Sequence, residues 1–140
     1  MTSFDPKYFQ KFKFKPNQTE KYMQAAHRDL KISRQSDIAE VQFQFAYNAL
    51  IKLGIALISR LGYKVKSRSG HHIKILEKTA LILADRDIYS IGNRMRKKRN
   101  TDLYDGGILI SKKEAKEYKD WLKAIFIKAE VYLYGKQRLF

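Results

Sequence analysis

The chain contains no cysteine. That excludes a disulfide framework, a cysteine-based zinc site and a thiol nucleophile. Proline is nearly absent too: Pro6 and Pro16 are the only two, so nothing after residue 16 carries that helix breaker. The seven glycines form no phosphate-cradling loop and no GK[ST] motif, which excludes a P-loop NTPase. The opening residues Met1-Thr2-Ser3-Phe4-Asp5-Pro6-Lys7 lack the apolar core of a signal peptide. The longest apolar run, 46–61, is broken by Lys52 and Arg60 and reads as too short to cross a bilayer. The expectation is a soluble, cytoplasmic protein with no membrane partner.

Acids are scarce as well. Asp and Glu number 14 against 29 Lys and Arg, which gives a net charge of +15. Such an excess points to a polyanionic partner, with nucleic acid ahead of an acidic membrane surface. A basic surface kept only for solubility is the plain alternative. At 140 residues the chain is long enough for one domain with a proper core.

What is present is helical periodicity. Residues 1–16 read as an extended basic arm, because Lys11-Phe12-Lys13-Phe14-Lys15 alternates charge and aromatic with period two. Such an arm covers its own domain or a partner subunit, or touches nucleic acid. Residues 17–140 read as a single all-α domain, an antiparallel bundle of four to five helices. Helix one is expected over 18–34, with Asn17 as N-cap and Glu20 three residues on. Helix two is expected from a Ser36-Asp37 cap to Leu61, closed by Gly62. It is apolar on two sides, Ile38, Val41, Phe45, Ala49, Leu53 and Leu57 on one and Phe43, Tyr47, Leu50, Gly54 and Leu61 on the other. Such a helix is central in the core, or faces both the core and a partner.

A basic loop follows over 63–70, with Lys64, Lys66 and Arg68. Helix three is expected over 71–84 with Ile73, Leu76, Ala80 and Leu83 inward, and helix four over 87–103, ended by Asp105-Gly106-Gly107. Ser111 and Glu114 form a capping box for a last helix that packs Tyr118, Leu122, Ile125, Ala129 and Tyr132 and reaches almost to Phe140.

The run 94–106 carries the strongest functional signal. It places five cations in six positions, 94–99, and then switches to an Asn, two acids and a Tyr. Ile88, Ile91, Met95 and Leu103 form one apolar stripe, and the position that fills its gap is Arg99. An inward guanidinium is costly unless it is paired or serves a site. Arg99 can grip phosphate and Asn100 can donate or accept beside it, while an ion pair to Asp102 or to another helix is the structural alternative. If the helix unwinds ahead of the glycines, Tyr104 can swing toward Arg99. Arg94, Arg96, Lys97 and Lys98 supply the surrounding field, joined by Lys64, Lys66, Arg68, His71 and His72.

His71 and His72 open helix three. Adjacent side chains on a helix point about 100° apart, so the two do not readily chelate one ion. No metal or other cofactor is expected. The histidines can contact phosphate or move protons, since their unperturbed pKa is near 6.5. His27, amid helix one, reads as structural.

Three stretches together resemble the HEPN domain, an all-helical module of prokaryotic toxin–antitoxin and defence systems. They are Ala46-Tyr-Asn-Ala-Leu-Ile-Lys52 through Gly62-Tyr63, Gly70-His-His-Ile-Lys-Ile-Leu-Glu77, and Met95-Arg-Lys-Lys-Arg-Asn-Thr-Asp-Leu-Tyr104. The resemblance implies a homodimer, and for nuclease-competent members an Arg, a polar residue and a His four to six positions beyond the Arg, which cut RNA without metal. Arg99 and Asn100 match the first two. The His position is filled by Tyr104, Asp105 or Gly106. A phenol, with a pKa of about 10, is a poor base at neutral pH.

The expectation is therefore a module that binds RNA or nucleotides through Arg99, Asn100 and Tyr104 without competent cleavage. It would alternatively meet a cognate partner protein such as a nucleotidyltransferase or an antitoxin. An endoribonuclease using Tyr104, His71 or His72 in place of the usual His is the second expectation. A non-enzymatic, antitoxin-type interaction protein is the third.

Overall fold

The computed structural model describes residues 3–104 and 110–136, leaving aside the side chains of residues 102–104. Within these residues the chain forms five helices and one small sheet. The helices are α1 (Gln18–Gln35), α2 (Ala39–Arg60), α3 (His71–Ile82), α4 (Asp87–Tyr104) and α5 (Lys112–Tyr134). The fold is helical, as the periodicity requires, but not purely so. Strand β1 (Phe9–Lys11) pairs antiparallel with β2 (Tyr63–Val65), with Phe9 opposite Val65 and Lys11 opposite Tyr63.

β2 corrects the expectation of a plain loop over 63–70. Three residues of alternation are too few to announce a strand, and the partner lies more than fifty positions earlier. The arm is thereby fastened to its own domain. Phe9 is fully buried, Phe4 stacks on Tyr63 at 3.8 Å, and the Lys78 ammonium lies over the Phe4 and Phe9 rings at 4.7 and 5.9 Å. The lysines of the 11–15 run do point outward, yet Phe12 is exposed with them. The anchors are the aromatic residues ahead of that run.

α2 is the central helix. It packs against α1, α3, α4, α5 and β2, while α1 also touches α5 and α3 touches α4. Its wide apolar circumference is spent on its own chain. Tyr47, Leu50, Leu53, Leu57 and Ile58 are fully buried, each a large hydrophobic contribution. Val41, Phe45 and Ile55 are half-buried, and Ile38 and Leu61 at its two ends are exposed. α2 as a whole, at 22 residues, is long and apolar enough to cross a bilayer by length and composition alone, although the run 46–61 by itself is not. Most of it is buried inside the fold, as suits a core helix.

Two glycines set the close approaches that bring helices together around Tyr47. A Cβ on Gly54 of α2 would stand 2.5 Å from both Ile75 Cγ2 and Thr79 Oγ1 of α3. A Cβ on Gly92 of α4 would stand 2.6 Å from Leu76 Cδ2 of α3 and 3.2 Å from Leu50 Cδ2 of α2. Both are shorter than side chains tolerate without shifting.

The helix ends follow local chemistry with some departures. Ser111 caps α5, its Oγ accepting from Glu114 N at 3.0 Å. Gly135, left-handed at φ 75°, closes α5 at Tyr134, well short of the end expected near Phe140. Within α5 the inward stripe runs from Ala129 four residues on to Leu133, so Tyr132, expected inward, is exposed. Asn17 makes no side-chain cap, because it is itself left-handed at φ 78°. At α2 the Ser36 hydroxyl accepts from Ile38 N, and the helix begins at Ala39.

Candidate functional site

α4 carries Arg99 at the position its register assigns. Ile88 and Met95, on the same stripe, are fully buried. One turn beyond Met95 the Arg99 guanidinium lies over the Tyr47 ring of α2, 5.6 Å from its centroid. Its Nε is buried and has no hydrogen-bond partner among the described residues. A cation–π contact recovers part of the cost of taking a guanidinium out of water but satisfies none of its N–H donors.

Tyr47 links this arginine to α3. Its hydroxyl and His72 Nδ1 are 2.8 Å apart. His71 and His72 stand edge to face at 4.5 Å between ring centroids. His71 Nδ1 donates to the Arg68 carbonyl at 2.6 Å, which leaves its Nε2 as the acceptor in the neutral ring. Arg96, three residues before Arg99, is half-buried, and its Nε donates to Asn93 Oδ1 at 2.9 Å. Four side chains from three helices thus form one cluster: Tyr47, His72, Arg96 and Arg99, with His71 at its edge.

The electrostatics follow from that placement. Burial pushes the His72 pKa down to about 4, and the charges of His71, Arg99 and Arg96 push the same way. Burial pushes the Tyr47 phenol up to about 12, against the pull of Arg99 and Arg96. At neutral pH both groups are therefore uncharged hydrogen-bonding partners, and the guanidiniums hold the charge. No described carboxylate is among the charges acting on either group. An anion entering here would meet two cations and two polar rings, and would relieve the repulsion that keeps His72 neutral.

The remaining expected residues fall into distinct places. Asn100 is half-buried next to Arg99. Arg94 and Lys97 are exposed and free to supply field. Lys98 is bound to Glu114 at the start of α5 and is committed to that pair. Lys66 donates to the Pro6 carbonyl at 2.8 Å, Lys64 sits over the Phe12 ring at 5.2 Å, and Arg68 is exposed. The first two hold the arm. The Tyr104 and Asp102 side chains and residues 105–109 lie outside the described residues, and with them the roles expected of Tyr104 and of an Arg99–Asp102 pair. Among the described residues no three His, Asp or Glu come together as metal ligands would.

Sequence reasoning assigned Tyr47 to the core, where an apolar helix face naturally puts a tyrosine. Nothing in the spacing of Tyr47 and His72 connects them, because the link is made by two helices packed closely across Gly54. The one available signal was the polar tip itself, since a buried phenol hydroxyl needs a partner. No family model, no curated protein and no solved structure matches this chain.

Proposed function

We propose that the chain is a HEPN-like helical bundle that binds RNA or nucleotides through the phosphate, at the cluster of Arg96, Arg99, His72 and Tyr47. The observation that carries this reading is the Arg99 guanidinium, partly buried, with an Nε that has no partner among the described residues, and set beside a second arginine. A partly buried cation with no counter-charge among the described residues carries a desolvation cost that a bound anion offsets. A phosphate supplies that counter-charge. In this arrangement Arg99 and Arg96 hold the phosphate, His72 and Tyr47 contribute hydrogen bonds, and Asn100 orients the ligand. Arg94 and Lys97 draw the polyanion in.

A second reading, a metal-independent endoribonuclease, is favoured by one specific observation. The His72 ring of α3 feels both guanidiniums, and in this reading it would take the role for which Tyr104, Asp105 and Gly106 offer no histidine. Its pKa argues for holding over cutting. A base at about 4 is neutral at pH 7 but weak, and proton transfer is most efficient when the base titrates near the working pH.

Labelled single-stranded RNA incubated with the protein in EDTA separates the readings. Binding without cleavage is expected, weakened about tenfold or more in Arg99→Ala, with log K falling by roughly 0.7 per phosphate contact per log unit of salt. Cleavage that needs Arg99 would put the nuclease reading in its place. Neither binding nor cleavage would reject both and favour a protein partner.

A further inference from the structure

We infer that this cluster takes a phosphomonoester, the terminal phosphate of an RNA or of a free nucleotide, in preference to an internal phosphodiester. The inference rests on the phosphate-binding reading of the same site. Three observations carry it, and each separates a monoester from a diester.

Charge comes first. Two guanidiniums act on one imidazole and one phenol, and the third group acting on that imidazole, His71, also opposes a positive charge there. An internal phosphodiester brings a single negative charge. A phosphomonoester brings about 1.5 to 2 at pH 7, because its second pKa is near 6. Two arginines without a described carboxylate match the dianion and would leave a monoanion short by one charge.

The second observation is the number of donors. A monoester presents three terminal oxygens, a diester only two. Arg99 has an Nε that no described group uses. Arg96 spends its Nε on Asn93 and keeps its terminal N–H groups. With His72 Nδ1 accepting from the Tyr47 hydroxyl, the neutral ring carries its proton on Nε2, which no described residue bonds. Arg96, Arg99 and His72 thus bring donor groups from two helices to one cluster, as three phosphate oxygens require.

The third is depth. Tyr47, the floor of the cluster, is 0% exposed, and His72, Arg96 and Arg99 are each only partly open. A terminal phosphate enters on one tether. An internal phosphate must bring a sugar on each side up to side chains that are all partly or wholly buried. The neutral state of His72 suits the same ligand. A dianion offsetting Arg96 and Arg99 raises the affinity of His72 for a proton, while Tyr47 and His71 stay as the other groups facing the ring.

The test compares short oligouridylates of one sequence, carrying a 5′-phosphate, a 3′-phosphate or hydroxyls at both ends, with 5′-AMP and inorganic phosphate as competitors. Binding is measured by fluorescence anisotropy. A phosphorylated end is expected to bind about tenfold tighter or better than the hydroxyl form. The preference should vanish in both Arg99→Ala and Arg96→Ala, checked for fold by circular dichroism, and persist in Lys113→Ala. AMP is expected to displace the phosphorylated oligonucleotide. AMP bound while every oligonucleotide is refused would support a monoester site and assign it to a free nucleotide. Equal, Arg99-dependent binding of phosphorylated and hydroxyl ends would overturn this inference and leave the phosphate-binding reading standing. A preference that survives both arginine variants would also overturn it. No binding of any probe would overturn both.

Discussion

Two histidines in this molecule sit against another helix, and they meet opposite company. His27 of α1 bonds through Nε2 to Glu130 of α5 at 2.6 Å, and the carboxylate is almost wholly buried. Nearby Asp29, also buried, is answered by Lys52 at 2.7 Å. On the other side of α2, His72 faces Arg96 and Arg99, with Tyr47 as its hydrogen-bond partner. In the first region every buried carboxylate named has a cation or imidazole in reach. In the second, buried positive charge has no described counter-charge. The first arrangement carries its own counter-charges, whereas the second holds partly buried cations with no described one, a cost that an incoming anion would offset. This contrast is the physical basis for calling one region structural and the other a site.

Substitutions can break or sharpen that contrast. The largest effect is expected at His27→Ala, which strands the Glu130 carboxylate in the core. The loss should be about 3–5 kcal/mol in urea unfolding. A loss under about 1 kcal/mol would mean that the pair contributes little and the contrast is weaker than drawn. Gly54→Ala should cost about 1–3 kcal/mol, because the new methyl meets the stiff, branched Ile75 and Thr79 side chains. Since Gly54 sets α3 against α2, that variant should also displace His72 from Tyr47 and weaken RNA binding beyond its effect on stability.

The pH dependence discriminates further. The folded pKa of His72, about 4, lies below its unfolded value of about 6.5. Between these values the unfolded chain binds more protons. The His72 contribution is therefore fully present above about pH 6.5 and is lost as pH falls toward 4. With His72 partly open to solvent, the loss should be about 1–2 kcal/mol, and His72→Asn should remove it. An unchanged profile in His72→Asn would count against the neutral imidazole. The smallest effect is expected at Arg99→Met, which roughly keeps the volume and removes a cation whose Nε has no described partner. Stability should change by less than about 1.5 kcal/mol, in contrast to His27→Ala. A loss as large as that of His27→Ala would make Arg99 a structural residue.

Much of the fold was legible from periodicity and end signals. The bounds of α1, α3 and α4 fall within a few residues of those expected, and the Ser111–Glu114 cap holds as written. What escaped was non-local or strictly local. β2 exists only because the arm comes back to it. The end of α5 turns on one left-handed glycine, Gly135. Of the site, Arg99 was legible because a cation interrupted an apolar stripe. Tyr47 was not, since a tyrosine on a core face has the same pattern whether its hydroxyl is idle or engaged. His72 was singled out beside His71, but its approach to Arg99 depends on the packing of α3 against α4.

The most direct test of the account is the titration of the His72 ring by NMR, in the free protein and with saturating 5′-AMP. The account predicts a free-state pKa of about 4 and a rise of one unit or more on binding, as the anion offsets Arg96 and Arg99. A His72 that titrates near 6.5 in the free protein and does not move with ligand would contradict it.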